Sequence, residues 1–178
     1  MLFATTNKNK LDEAERILGI SIKGVKLDID EIQTLDPKKC AEKKALSAYH
    51  VLGEPVLVED TTLFFEAWKG LPGVFIDYFM RTIGNNGLLK LLANSSNRQA
   101  YAQTTLAISL DGRQALTFIG RVDGSISNHI IGDNNFGWDP IFIPQGSGKT
   151  FAEMAKEEKD VYSMRSIAFA KFKKAGMI

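Results

Sequence analysis

The sequence has very few of the side chains on which several common enzyme classes depend. Cysteine occurs once, at Cys40, and histidine only at His50 and His129. A single cysteine excludes an internal disulfide and is typical of a reducing compartment. Neither histidine has the spacing of a catalytic triad or a zinc site, which argues against a serine hydrolase and a zinc enzyme. We interpret Cys40 as a small, buried, apolar residue.

Strong net charge and long hydrophobic runs are also missing. The 22 basic and 21 acidic residues leave a net charge of +1, so no overall field attracts nucleic acid or a membrane. The apolar run at Met1–Ala4 ends after four residues, too soon for a signal peptide or a membrane span. We therefore expect a cytoplasmic protein with neither a nucleic-acid nor a membrane partner.

The composition is that of an ordinary globular domain. The chain has 178 residues, of which 44% are hydrophobic and 24% charged, enough for one sizeable core. Repeats and low-complexity linkers are absent. We therefore expect residues 1–178 to form a single domain.

The hydrophobic pattern predicts alternating strands and helices, then an antiparallel hairpin and a final helix. Asp111-Gly112, between two alternating runs, is the strongest hairpin signal in the chain. A chain that begins β-α-β-α-β and continues with a hairpin belongs to the α/β class, with helices packed on a mixed sheet. The predicted strands cover residues 1–4, 20–29, 55–58, 101–110 and 114–120, and the predicted helices cover 10–18, 37–51, 76–83, 87–92 and 163–174.

A first candidate site follows the first predicted strand. Hydroxyl, amide and lysine side chains at a helix start favour phosphate, because the helix-start amides point outward there. The glycine frame of a P-loop is absent. The alternative is that Thr or Asn caps the helix while the lysines are solvated, and the local pattern favours neither. The residues are Thr5, Thr6, Asn7, Lys8, Asn9 and Lys10.

Acidic side chains suggest a second candidate site. Glu59 and Asp60 directly follow the apolar run at 56–58, and two acids at the end of a buried strand are costly unless something compensates them. Mg²⁺ would do so, or Asp60 would orient or deprotonate a water. An ordinary turn acid is the alternative. The acidic loop at 28–31 follows a predicted strand and offers a further metal ligand, but this loop and Lys39, taken alone, are typical of a solvated surface.

A third candidate combines aromatic rings, polar edges and cations. Phe136-Gly137-Trp138-Asp139 is followed by Lys159 and Arg165. Such a set suits the base and phosphates of a nucleotide. For each ring taken singly, a place in the core is the more common outcome.

Five motifs in the same order along the chain carry a resemblance to a known family. With them, the sequence resembles the inosine triphosphate pyrophosphatase family, also called Ham1-like, over nearly its whole length. The motifs are Thr5, Asn7, Lys10 and Glu13 of a T-x-N-x-x-K-x-x-E pattern, Val58-Glu59-Asp60-Thr61, Gly70-Leu71-Pro72-Gly73, Phe136-Gly137-Trp138-Asp139-Pro140, and Lys149-Thr150-Phe151-Ala152-Glu153-Met154.

The resemblance implies a fold and an activity. The fold is a two-lobed catalytic domain with a long, curved mixed sheet, flanked by helices, and an active site in the cleft between the lobes. The reaction is Mg²⁺-dependent hydrolysis of a nucleoside triphosphate to the monophosphate and pyrophosphate. The implied substrates are ITP, dITP and XTP, so that the enzyme cleanses the nucleotide pool. Family members are usually homodimers.

The resemblance also implies roles for residues. Asp60 would be catalytic, and the metal would be held by Glu31, Glu59 and Asp60. Arg165 would contact the 6-oxo edge of the base. The other substrate-binding positions would be residues 5 to 10 for the phosphates, Lys39 and Lys159 for phosphate or base, Phe136, Gly137, Trp138, Asp139 and Met164 for the base, and Thr61.

One position departs from the family pattern. The family has Ser-His-Arg where this chain has Ser163-Met164-Arg165, and methionine cannot donate a hydrogen bond as histidine does. We expect retained activity with altered discrimination between bases. Three other hypotheses stay open: a Maf-type pyrophosphatase with another base preference, a nucleotide-binding regulator without catalysis, and a nucleic-acid-binding module, against which the near-neutral charge argues.

Overall fold

The computed structural model describes residues 1–133 and 136–178. In that part of the chain it has seven strands and six α-helices, with three short 3-10 helices between them. The strands are β1 (Leu2–Ala4), β2 (Lys23–Val25), β3 (Val56–Phe65), β4 (Pro72–Gly73), β5 (Gln99–Ser109), β6 (Ala115–Ile126) and β7 (Phe142–Pro144). The helices are α1 (Lys8–Leu18), α2 (Pro37–Leu52), α3 (Ile76–Thr82), α4 (Gly84–Leu91), α5 (Lys156–Tyr162) and α6 (Met164–Lys174).

The strands form one mixed sheet, which confirms the predicted α/β class. Its order is β2-β1-β3-β5-β6-β7, and β4 pairs with β3 in addition. The sheet is parallel where β1 meets β2 and β3, and antiparallel where β3 meets β4 and β6 meets β7. The parallel part arises because α1 and α2 each connect one strand to the next, as in β-α-β units.

The chain divides into two compact units. Unit 1 comprises residues 1–61, 104–120 and 165–178, and unit 2 comprises residues 62–103 and 121–164. Strands β3, β5 and β6 contribute residues to both units.

Unit 1 has two hydrophobic clusters. Phe3, Leu57 and Phe169 belong to the first, in which residues of α1, α6 and the sheet pack together. The second contains the alanine face of α2, Ala41, Ala45 and Ala48, against Val56 and Val58 of β3. Small side chains on α2 let the helix approach the strand closely. Cys40 is buried on the same helix, as predicted.

Unit 2 has its own, more aromatic core. Trp138, Phe142 and Phe151 pack in one cluster with Leu88 and Met164, among others. The rings of Trp138 and Phe142 meet edge to face, with centroids 5.5 Å apart, a favourable arrangement for two aromatic quadrupoles.

Local signals located most elements correctly. The hairpin at Asp111-Gly112 is confirmed, since β5 and β6 are neighbours joined by this turn. There the Asp111 side chain accepts the backbone N–H groups of Arg113 and Gln114, at 2.9 and 3.3 Å. Gly19 ends α1 in the left-handed conformation, with φ of 70°, as expected of a glycine at this position.

Four predicted elements had boundaries that were wrong by three residues or more. The strand predicted over 114–120 continues to Ile126. The strand predicted to end at residue 58 continues through Glu59 and Asp60 to Phe65. The strand predicted over 20–29 is only Lys23–Val25, and α4 begins at Gly84 rather than residue 87. The alternating pattern predicted too long a strand for β2. Strand formation requires a hydrogen-bonded neighbour, and β2 pairs with only the three residues of β1.

Across residues 1–133 and 136–178, no helix combines the length and apolar character that a membrane crossing requires.

Candidate functional site

Glu59, on β3 in unit 1, lies at the centre of a buried ionic network. Its two carboxylate oxygens accept hydrogen bonds from Nε and Nη2 of Arg165, each at 2.9 Å. The Thr61 hydroxyl donates to Oε1 at 2.8 Å, and Lys10 Nζ lies 3.3 Å from the same oxygen. These contacts explain why a strand can carry a fully buried glutamate in its middle.

The surrounding cations keep Glu59 ionised. Burial alone would raise the pKa of its carboxyl, but Arg165 and Lys10, with the hydrogen bonds from Arg165 and Thr61, hold the pKa well below its usual range. The pKa of Arg165 moves the other way: burial opposes its charge, while Glu59 and Glu13 raise its pKa. Both side chains are therefore charged at all physiological pH values.

Glu13, on α1, completes the network and had no predicted role. Its Oε2 accepts a hydrogen bond from Nη1 of Arg165. Arg165, at the start of α6, thus contacts both the middle of α1 and β3. The signal that could have identified Glu13 is its place as the last residue of the T-x-N-x-x-K-x-x-E pattern.

Asp60, the next residue on β3, is in a different state. Burial raises the pKa of its carboxyl, and the nearby charges of Glu31 and Glu59 raise it as well, while Lys10 and Lys44 act in the opposite direction. Its Oδ2 is buried and has no hydrogen-bond partner. An oxygen of this kind is costly unless a proton, a water or a cation satisfies it.

Asp60 lies close enough to Cys40 to affect the ionisation of the Cys40 thiol. Burial, followed by the negative charge of Asp60, raises the pKa of the Cys40 thiol to about 11. A thiol in this state is a poor nucleophile at neutral pH, which agrees with the interpretation of Cys40 as a packing residue.

Glu31 forms an ion pair with a lysine that the sequence had not singled out. Lys44 Nζ, on α2, lies 2.5 Å from Glu31 Oε1. Burial alone would lower the pKa of Lys44, but the bond to Glu31 raises it. Within the described ranges, no three His, Cys, Asp or Glu side chains gather into a group that could hold a metal.

The segment from Thr5 to Lys10 comprises the link from β1 to α1 and the first residues of that helix. Asn7 caps the helix, its side chain accepting the N–H of Lys10 at 3.3 Å, and the Thr5 hydroxyl accepts the N–H of Asn7 at 3.1 Å. Lys10 points to Glu59, whereas Thr6, Lys8 and Asn9 are exposed. The cap is therefore confirmed, Lys10 pairs with Glu59 instead of being solvated, and phosphate binding by this segment stays a prediction.

Lys39 lies in the first turn of α2 and is exposed. Its backbone N–H, with that of Lys38, donates to the Asp36 side chain at the helix start. The cap fixes the position of the first turn, and the Lys39 side chain is left at the surface of unit 1.

The other predicted site residues lie in unit 2. Lys159, on α5, is 3% exposed, and its Nζ lies 2.5 Å from Asp139 Oδ2. The same ammonium group lies 4.9 Å from the centre of the Phe136 ring and 5.4 Å from that of Phe151. A buried ammonium is tolerated here because a carboxylate and two ring faces replace its hydration.

Trp138 and Met164 are buried in the core of unit 2. Trp138 packs on Phe142 and Phe151, and Met164 belongs to the same cluster. Phe136 is only half-buried. Of the two rings predicted to stack on a base, Phe136 is therefore the one with an accessible surface.

The sequence matches known proteins over nearly its full length. The Ham1 family profile matches residues 1–175. A dITP/XTP pyrophosphatase of Methanopyrus kandleri is 42% identical over 175 residues, which cover 97% of this chain and 93% of the relative. An inosine triphosphate pyrophosphatase of Kluyveromyces lactis is 41% identical over 182 residues, with the same two coverages, 97% and 93%.

Solved structures agree with the sequence matches. A Ham1 protein from Coxiella burnetii has a TM-score of 0.87 at 27% identity, covering 99% of this chain and 97% of that one. The Ham1 protein of Staphylococcus aureus, at 24% identity, has a TM-score of 0.83, with coverages of 99% and 97%, and shows the shared fold. Because the family profile matches nearly the whole chain and the two pyrophosphatases are 42% and 41% identical to it, the chain belongs to the Ham1 family.

Proposed function

We propose that this protein hydrolyses non-canonical purine nucleoside triphosphates, ITP, dITP and XTP, to the monophosphate and pyrophosphate. The observation that carries the proposal is the pair of adjacent acids on β3. Glu59 is fully compensated by Arg165 and Lys10, whereas Asp60 keeps a buried oxygen without a partner. Two neighbouring carboxylates in such different environments suit different tasks.

Asp60 is the group that acts on water. A carboxylate with a raised pKa is a better proton acceptor than an ordinary aspartate, and its unpartnered oxygen is available to a water. Attack of that water on the α-phosphorus breaks the bond to the β-phosphate oxygen and releases pyrophosphate. Lys10 and Lys39 offset negative charge on the phosphates.

Asp60 also fits a divalent cation such as Mg²⁺. Its unpartnered Oδ2 is an oxygen ligand of the kind Mg²⁺ prefers, and Glu31 and Glu59 add negative charge near it. The oxygens of Glu59 already accept bonds from Arg165 and Thr61, which favours Asp60 as the principal ligand. When bound, the cation would stabilise charge on the phosphates.

Base recognition belongs to the residues of unit 2. Phe136, backed by the Lys159 ammonium group, offers a ring face for stacking, and the backbone at 137–139 offers polar groups. A site that donates hydrogen bonds to a 6-oxo group would place donor against donor with a 6-amino base, which is costly in a buried setting. Hydrogen bonding of this kind would allow the site to bind ITP and XTP in preference to ATP.

We further propose that the protein is a homodimer and, on its single cysteine, that it works in the reducing cytoplasm. Tyr78, Ile83 and Leu91, on or beside α3 and α4, are 59%, 40% and 56% exposed, and an exposed apolar set of this kind suits a subunit interface. Light scattering of the protein and of a Tyr78→Lys variant tests the dimer: a second copy on this surface predicts a shift of the variant to monomer.

The proposed activity is tested by pyrophosphate release with Mg²⁺ from ITP, dITP, XTP, GTP, ATP, dTTP and UTP. We expect turnover of the first three well above the others. Asp60→Asn should lower kcat for ITP by roughly 100- to 10,000-fold, the usual contribution of a general base. Asp12→Asn, a matched change of an exposed acid on α1, should leave kcat unchanged.

Three other outcomes would contradict the proposal. Preferential turnover of dTTP or UTP would indicate a Maf-type activity. Binding of ITP without turnover would indicate a nucleotide-dependent regulator. Full activity of Asp60→Asn would remove Asp60 from the reaction. Omitting the metal, or replacing Mg²⁺ with Ca²⁺, tests the cation requirement separately.

A further inference from the structure

Asn85, a residue of α4 that no motif includes, contacts the Phe136–Asp139 segment. Its side-chain Nδ2 donates a hydrogen bond to the backbone oxygen of Gly137 at 3.0 Å. The two residues are 52 positions apart in the sequence and both belong to unit 2. Asn85 therefore connects the first turn of α4 to the segment to which we assign base recognition.

The contact falls on the most adaptable peptide of that segment. Gly137 has φ of 58°, in the left-handed region that glycine enters freely, and a Cβ added to it would meet no atom within 4 Å. The neighbours of Gly137 are held by other means: the N–H of Asp139 bonds to the oxygen of Phe136 at 3.1 Å, and that of Ile141 to the oxygen of Trp138 at 3.0 Å. Glycine itself resists a peptide rotation least.

The bond that fixes the orientation of the Gly137 oxygen also fixes the direction of the Trp138 N–H group. The Gly137–Trp138 peptide is trans, and in a planar trans peptide the C=O and the following N–H point in opposite directions. An oxygen turned to Asn85 thus directs the N–H of Trp138 away from Asn85. The orientation of one backbone donor in the base-recognition segment depends on one side-chain amide.

The carbonyl oxygen of the Asn85 side chain, Oδ1, is further evidence that this residue has a functional role. Its Oδ1 is buried and has no hydrogen-bond partner, which is unfavourable. An apolar side chain of similar size would fill the space without that cost. The residue carries this cost and keeps the bond from Nδ2 to Gly137, which favours a role for that bond.

We propose that Asn85 is a positioning residue that sets base selectivity by fixing the Gly137–Trp138 peptide. The inference rests on the proposed function, because the donor it orients serves an oxo group on the base. Asn85 itself does not touch the reacting atoms. Its loss should weaken discrimination between 6-oxo and 6-amino purines and leave the phosphate chemistry of unit 1 in place.

Two substitutions remove the donor in different ways. Asn85→Asp replaces the amide by a carboxylate that cannot donate to the Gly137 oxygen, and Asn85→Leu removes the polar group without adding charge. Asn86→Asp is the matched control, since it makes the same change at the next, exposed residue of the same helix turn. Both ITP and ATP are assayed, and amide hydrogen exchange is measured over residues 136–141 in the free protein.

We expect both Asn85 variants to lower the ITP-to-ATP ratio of kcat/KM by about 2- to 12-fold, the loss of one neutral hydrogen bond. The loss for ITP should appear mainly in KM, with exchange over residues 136–141 faster than in Asn86→Asp. Unchanged exchange and an unchanged ratio in both variants would overturn the inference. Absence of turnover by the wild-type protein would instead contradict the proposed function, and with it the selectivity role, whatever the exchange shows.

Discussion

Arg165 makes two parallel hydrogen bonds to the carboxylate of Glu59, each 2.9 Å long, across 106 positions of sequence. A third nitrogen of the same guanidinium bonds to Glu13. Arg165 is 1% exposed, and its planar fork matches a carboxylate better than any other side chain can. Its first role in the structure is to hold Glu59 on β3, which adds to the base contact implied by the family resemblance.

Arg165→Lys separates these two roles. Lysine keeps the charge but cannot make two parallel bonds to one carboxylate. If Arg165 acts by holding Glu59, kcat/KM should fall for ITP, XTP, GTP and ATP by one common factor, roughly 10- to 150-fold for a charge-assisted hydrogen bond. A steady-state assay across the four nucleotides measures this factor.

The same change at an exposed arginine of unit 1, Arg113→Lys, controls for the conservative substitution and should leave activity unchanged. A fall restricted to the 6-oxo nucleotides would contradict the holding role and support direct contact between Arg165 and the base.

Lys159→Met tests the buried ion pair of unit 2. Methionine retains the apolar stem but leaves the Asp139 carboxylate, which is 5% exposed, without its cation. Removing one partner of a buried pair typically costs about 3 to 5 kcal/mol, so the free energy of unfolding should fall by about that amount. Denaturant titration followed by Trp138 and Trp68 fluorescence gives the value.

Lys149→Met is the matched control, because its pair with Glu158 is exposed and should contribute far less. Adding Asp139→Asn to Lys159→Met should recover part of the lost stability. If the double variant is less stable than Lys159→Met alone, the pair is not the source of the loss.

Met164→His tests the position where the chain departs from its family. Met164 is 2% exposed in an apolar cluster, so a histidine there should lower the free energy of unfolding by about 1 to 3 kcal/mol, as a buried polar group without a partner does. The added donor should also change the ITP-to-ATP ratio of kcat/KM. Denaturant titration and the two-nucleotide assay measure these effects.

Met154→His makes the same change in the same cluster and should lower stability without changing the nucleotide ratio. An unchanged ratio in Met164→His would show that position 164 affects packing alone.

Asp111 gives the hairpin between β5 and β6 a dependence on pH. Hydrogen bonds from the backbone N–H groups of Arg113 and Gln114 lower the pKa of its carboxyl. A carboxyl whose pKa is lower in the folded state stabilises that state above its unfolded pKa, and the effect disappears as pH falls through the folded pKa. Asp111→Ala should therefore melt below the wild type at pH 7, and the difference should shrink toward pH 3.

Thermal melts at several pH values test this, with Asp30→Ala, the loss of another exposed acid, as a control that should show no such trend. A difference between wild type and Asp111→Ala that stays constant from pH 7 to pH 3 would contradict the role of the ionised carboxyl.

Local sequence determined the parts of the fold that depend on neighbouring residues. The caps at Asn7 and Asp36, the glycine that ends α1 and the turn at Asp111-Gly112 each act over a few positions. Their signals are complete within a short window, because the hydrogen bonds they make are themselves local. The α/β class followed from the order of such elements, and the motifs were enough to identify the Ham1 family.

Tertiary structure decided how the polar residues are used. The sequence placed Glu59 and Asp60 after a strand, whereas the structure places them within β3, which is possible because Arg165 and Lys10 compensate Glu59. The partners Glu13, Lys44 and Asn85 were likewise not predicted. Whether a carboxylate is neutralised or left with a free oxygen depends on burial and on charges from distant segments. No local pattern contains that information, so only the folded chain separates Glu59 from Asp60.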